Sequence, residues 1–164
     1  LRYERLFDDD WNGPFTEEPP MLTQWLMNPG DGSITEAQKD DLPAEFPRVH
    51  PELDGKKHRY GYCLGTGSMV KPDFGRFVKY DFVKDSREVY ELPAHEFGAE
   101  PVFIPATNAT SEDEGYLISF VYDQSTNDSS VQILNAQQIT EGPIAKVMLP
   151  QRVPYGFHGS WVPA

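Results

Sequence analysis

Cysteine is nearly absent from this chain. Cys63 stands alone among 164 residues, which excludes an intrachain disulfide and any cysteine-based zinc cluster. A lone thiol fits a reducing compartment, so a cytoplasmic location is the expectation. Basic residues are scarce as well. The 14 Lys and Arg face 26 Asp and Glu, leaving a formal charge of −12, and that sign disfavours nucleic acid and anionic membrane surfaces as partners. It places no constraint on a small apolar substrate. Long apolar runs are missing, so no stretch has membrane-spanning length, and the first residues do not read as a secretory leader. Histidine pairs at zinc-motif spacing, a Gly-x-Ser-x-Gly nucleophile turn and an EF-hand loop are all absent. Leu1 is not an initiator methionine, and the chain opens in mid-phrase, so a fragment or processed chain is expected.

Turn formers and aromatics are plentiful. There are 15 prolines and 13 glycines, and 13% of residues are aromatic, a composition suited to short strands joined by many turns. Met21 to Met27 reads as one arm of a hairpin, with Asn28-Pro-Gly-Asp-Gly32 as its turn and Ser33 to Ala37 as the returning arm. A short amphipathic helix over Thr35 to Asp41, closed by Pro43, competes with that reading. Pro47 biases Phe46 toward an extended backbone. Further strands are expected over His58 to Leu64, Arg76 to Phe82, Arg87 to Leu92, Glu100 to Pro105, Tyr116 to Tyr122, Val131 to Leu134 and Ile144 to Leu149. Residues 1–20 read as acidic loop. The sum is an all-β chain, as a sandwich, barrel or propeller, without a clear sequence repeat to choose among them.

The stretch Arg152 to Trp161 holds the residue with the most chemical promise. His158 lies between Gly156 and Gly159, with Phe157 and Trp161 placed to shield an imidazole that binds a metal or a reactive ligand. A histidine packed at a strand end fits the same residues. Glu45, ahead of Phe46-Pro47, and Glu100, ahead of Pro101-Val102, are carboxylates at the edges of apolar segments. Each reads either as a surface group or as a buried acceptor that fixes the tautomer of a metal-ligating histidine. His50 and His95 lie in polar loops, and His58 begins a strand. The acidic loops Glu112-Asp-Glu114 and Asp123 to Asp128 read as solvated tips more readily than as calcium sites.

Three segments in order resemble the C-terminal part of the carotenoid cleavage oxygenases, a family that spans carotenoid, apocarotenoid and lignostilbene dioxygenases and the retinoid isomerase. They are Glu45-Phe-Pro-Arg-Val49 with His58-Arg-Tyr-Gly-Tyr62, then Gly98-Ala-Glu-Pro-Val-Phe-Ile-Pro105 with Glu112-Asp-Glu-Gly115, then Leu149-Pro-Gln-Arg-Val-Pro-Tyr-Gly-Phe-His-Gly-Ser-Trp161. The resemblance runs from about Leu22 to the end. It implies a seven-bladed β-propeller with Fe(II) on its axis, held by four histidines, with three glutamates orienting three of them. On that pattern His158 matches the last iron ligand, Glu45 and Glu100 match two of the orienting glutamates, and Glu100 is the expected partner of His158. The implied reaction adds O2 across an alkene of a carotenoid, apocarotenoid or stilbene and yields two carbonyl fragments.

The motifs for the first three ligands and for the third glutamate do not occur here. Residues 1–164 therefore read as the C-terminal fragment of a single β-propeller oxygenase domain, an all-β partial propeller of about three blades. The rest of the propeller is required for function, and the isolated chain is expected to be inactive. Membrane contact is left open. Two alternatives stand beside this reading: a non-catalytic propeller fragment or binding module, and an acidic β-domain that binds calcium.

Overall fold

The computed structural model describes residues 19–66, 74–154 and 158–162. Residues 1–18 of the loop expected over 1–20, and Gly156 and Phe157 beside His158, lie outside the described residues. Among the described residues, ten strands form two five-stranded antiparallel sheets. The first sheet runs β1 (Met21–Met27), β2 (Ile34–Arg48), β3 (Tyr60–Gly65), β4 (Arg76–Asp81), β5 (Ser86–Glu91) in chain order. The second is built from β6 (Glu96–Gly98), β7 (Val102–Pro105), β8 (Gly115–Asp123), β9 (Asp128–Asn135) and β10 (Pro143–Met148), in the order β10-β9-β8-β6, with β7 also paired to β8. This is an all-β partial propeller, as the sequence implies. The described residues supply two sheets toward the roughly three expected blades.

Alternation along each strand decides which face it buries. On β3, Tyr62 and Leu64 enter the core between the two sheets, while Cys63 points to the opposite face. β4 sends Phe77 inward and Val78 and Tyr80 outward. From the second sheet, Phe103, Leu117, Val121 and Leu134 close the same core, and the Tyr62 and Phe103 rings stack at 5.2 Å. Cys63 is buried, and that burial pushes its thiol up to about 12, so it is an inert core residue.

The Thr35 to Asp41 helix does not form. Those residues belong to β2, where Thr35 to Gln38 pair with β1. The segment has no apolar stripe for a helix to bury, and a hairpin partner lies one tight turn away. Its acidic residues instead fasten the strand to its sheet: Asp40 accepts from Tyr80 Oη at 2.8 Å and also binds Arg87, and Asp41 binds Arg87 at 2.8 Å.

Both flanks of this two-sheet unit carry exposed apolar side chains. Trp25, Leu26, Met27 and Ile34 on one side, and Ile144, Val147 and Met148 on the other, are each more than half exposed. Exposed apolar surface of this kind suits packing against further protein.

The loop ahead of β8 ties the sheets together. The Glu112 carboxylate accepts the backbone N–H groups of Arg59 and Tyr60 at 2.7–3.0 Å. Asp113 receives the Lys79 ammonium at 2.7 Å, and that ammonium also sits 4.6 Å from the centre of the Tyr60 ring. Glu114 accepts from the Thr110 amide and hydroxyl. Glu112 and Asp113 thus clamp the sheets together, and Glu114 closes its own loop, in place of the solvated tip expected from the composition. The Asp123 to Asp128 loop is a hairpin turn closed on Asp123. Among the described residues, no group of three His, Cys, Asp or Glu converges as a metal site.

Gly115 opens β8 where only a hydrogen fits. A Cβ there would meet the Ile104 carbonyl oxygen at 2.3 Å and the Phe103 ring at 2.8 Å. Gly115→Ala is expected to destabilise the intact protein by about 1–3 kcal/mol, read as a lower midpoint in chemical denaturation. An unchanged midpoint would mean that the β7–β8 pair relaxes without cost.

Candidate metal-ligand site

Two interruptions in the strand ladders position the site. On β2, Glu45 pairs with Leu64 and Arg48 with Tyr62. Two residues on β2 thus oppose one on β3, which is the count of a β-bulge. Phe46 within it has φ +55°. The extended backbone expected for a residue before proline is overturned here, because the bulge demands a left-handed conformation. That strain re-aims the Phe46 ring, which meets the His158 imidazole edge-on at 5.3 Å.

The second interruption separates β6 from β7. They pair with opposite ends of β8, β6 along Val121 to Asp123 and β7 along Gly115 to Ile118. Between them Ala99 N donates to Phe120 O at 2.9 Å, and Pro101 has no N–H to offer. Glu100 falls in this gap, with its side chain 3% exposed. A carboxylate so buried needs donors. One oxygen, Oε2, accepts the Gly159 amide at 2.7 Å, and the other, Oε1, lies 3.2 Å from His158 Nδ1.

Because the carboxylate acts as acceptor, the Nδ1 proton belongs to the imidazole and the lone pair is left on Nε2. The ring thus presents a basic nitrogen on the edge away from Glu100, and the His158 side chain is 72% exposed. Of the two aromatics expected to shield the ring, Phe157 lies outside the described residues and Trp161 is 56% exposed; Phe46 on β2 supplies a ring contact. Glu45 is half-buried beside this cluster. Burial pushes its carboxyl above the ordinary value, with the Phe46 amide and the His158 imidazole pulling it back.

Arg48 was given no role by the sequence reading. Its Nη2 donates to the Gly159 carbonyl at 3.2 Å, and its Nε lies 3.7 Å from Glu100 Oε1. The other histidines serve locally. His50 Nδ1 accepts the Glu52 amide at 3.2 Å, His58 packs edge-on against Phe82, and His95 Nε2 lies 3.5 Å from Asp123.

The fit to a metal is therefore specific and partial. One imidazole is held in the tautomer that a metal needs, with a buried carboxylate behind it. The donor set of the described residues amounts to one corner of a coordination sphere.

Comparison with known proteins places the whole segment. The family model described as retinal pigment epithelial membrane protein matches residues 2–163. The carotenoid cleavage oxygenase of Mycobacterium tuberculosis is 36% identical over 168 residues, covering 99% of this chain and 33% of the relative. The carotenoid 9,10(9',10')-cleavage dioxygenase 1 of Pisum sativum is 34% identical, covering 86% of this chain and 28% of its own length. The crystal structure of cobalt-substituted Synechocystis ACO superposes with a TM-score of 0.84 at 28% identity, covering 90% of this chain and 31% of that one. The chain spans about a third of the length of the curated relatives it matches.

Proposed function

This chain belongs to the carotenoid cleavage oxygenase family, and from that premise we propose that it forms part of a non-haem Fe(II) dioxygenase acting on an apolar alkene. In the intact protein, His158 supplies one iron ligand through Nε2. Glu100 holds His158 in orientation, and Glu45 orients a histidine from outside this segment. The bound iron would supply the O2 chemistry that splits a carotenoid, apocarotenoid or stilbene double bond into two carbonyl products. The observation that carries this reading is the 3.2 Å contact between His158 Nδ1 and the buried Glu100.

The residues of this chain act by placement. Glu100 fixes the ring tautomer and makes Nε2 the more basic ligand. Phe46 covers one edge of the imidazole and limits its rotation. A site built from neutral imidazoles keeps the full charge of the metal. The apolar flanks at β1 and β10 fit further propeller sheets, which would carry the remaining ligands. The described residues offer one histidine to such a site, so the isolated chain is expected to be inactive. The Synechocystis relative accepts cobalt by substitution, which favours a metal reading over a non-catalytic module.

Iron analysis and an alkene-cleavage assay on the intact protein test this proposal. The expected result is bound iron, O2-dependent cleavage, and iron retention or activity lowered by about 10–100-fold in Glu100→Gln. Cleavage by metal-free protein, or wild-type iron retention and activity in Glu100→Gln, would contradict it.

A further inference from the structure

We propose that Arg48 is a positioning residue for His158, acting through Glu100 and the Gly159 peptide. This rests on the metal-ligand reading of His158 but adds a residue and a mechanism to it. The Gly159 peptide is gripped at both ends: its N–H donates to Glu100 Oε2 at 2.7 Å, and its C=O accepts from Arg48 Nη2 at 3.2 Å. The same guanidinium places Nε 3.7 Å from Glu100 Oε1, the oxygen that faces His158 Nδ1. One side chain thus touches the orienting carboxylate and the backbone next to the imidazole.

The arrangement crosses the sheet boundary. Arg48 ends β2 in the first sheet, Glu100 lies at the split edge of the second, and Gly159 comes from the C-terminal segment. The Phe46 bulge two residues earlier sets the direction from which Arg48 approaches. A buried carboxylate is costly without a nearby cation or a full set of donors. Arginine suits this position because its planar fork reaches two acceptors at once, whereas a lysine offers a point charge to one.

The test uses the intact protein in two states. In the metal-free state, 15N-histidine NMR reads the His158 tautomer, with the His158→Gln protein assigning the signal. In the iron-loaded state, release to a chelator gives the rate of metal loss. Arg48→Met is expected to move the His158 ring away from a pure Nδ1–H tautomer and to speed iron loss by about 10-fold. Arg48→Lys, which keeps the charge and loses one contact, should fall between Arg48→Met and wild type. In a Glu100→Gln background, Arg48→Met should add much less than it does alone, because both act on one imidazole. A general loss of packing would instead lower the metal-free melting midpoint and leave the two substitutions additive.

A tautomer and an iron-loss rate unchanged in both Arg48 variants would overturn the proposal, as would additive effects in the cycle. If the wild-type protein holds no iron but its His158 tautomer still depends on Arg48, the dioxygenase reading falls and the positioning role stands.

Discussion

Replacing His158 with alanine in the intact protein is expected to remove bound iron and alkene cleavage together while the fold survives. The side chain is 72% exposed, and its described contacts are the Glu100 carboxylate and the edge of the Phe46 ring. Little packing is lost with it. Glu100 retains the Gly159 amide, with Arg48 nearby, so the buried carboxylate is not stranded. The loss of a ligand should exceed the effect of losing the group that orients it, so a fall of more than about 100-fold in iron retention is expected. Metal analysis, a cleavage assay and a thermal melt on the same preparation read all three quantities. Full iron content and activity in His158→Ala would remove His158 from the metal site.

The largest expected effect on stability lies elsewhere. Lys79 and Asp113 form an ion pair between the sheets, with side chains only 4% and 11% exposed. Lys79→Ala leaves the Asp113 carboxylate buried, with the Ser111 hydroxyl and Gln137 amide as its remaining side-chain donors. Breaking a buried pair from one side costs about 3–5 kcal/mol. The double variant Lys79→Met/Asp113→Leu removes both charges and should recover most of that loss, because a filled apolar contact can replace a buried pair at little cost. Urea denaturation of the three proteins separates these cases. A Lys79→Ala protein as stable as wild type would show that water reaches the pair.

The same pair makes a statement about pH. Burial pushes the Asp113 carboxyl up, but the Lys79 ammonium and the Gln137 amide pull it down further, leaving it below its ordinary value. A carboxyl depressed in the folded state adds stability that is fully present above its unfolded value of about 4 and is lost as pH falls through the folded value. Without Lys79 the push from burial dominates and the folded-state carboxyl lies above its unfolded value, so the stability deficit of Lys79→Ala relative to wild type should be largest near neutral pH and shrink as the solution is acidified.

Strands with regular alternation were legible from the residues. Tyr116 to Tyr122 emerges as β8 with one further residue at each end, its Leu117 and Val121 turned to the core. Met21 to Met27 matches β1. β6 was not legible, because three residues carry no period. The length of β2 was hidden as well. Prolines at 43 and 47 look like stops, yet this strand carries both through its irregular positions, at the β1 register shift and in the Phe46 bulge.

At the site, Glu45, Glu100 and His158 could be named from motif resemblance but not from spacing alone. Glu100 and His158 are 58 positions apart in the chain. Arg48 stayed invisible although it sits in a quoted motif, because its partner Gly159 lies 111 positions away. Contacts of that range are made by the packing of one sheet on the next, and no local pattern encodes them.

The most direct test of the central claim is diffraction from iron-loaded crystals of the intact protein, with anomalous differences collected at the iron absorption edge. The account predicts one strong peak at bonding distance from His158 Nε2, with Nδ1 still against Glu100. A peak seated on other residues, with His158 turned away from it, would contradict the assignment of this chain's histidine to the metal.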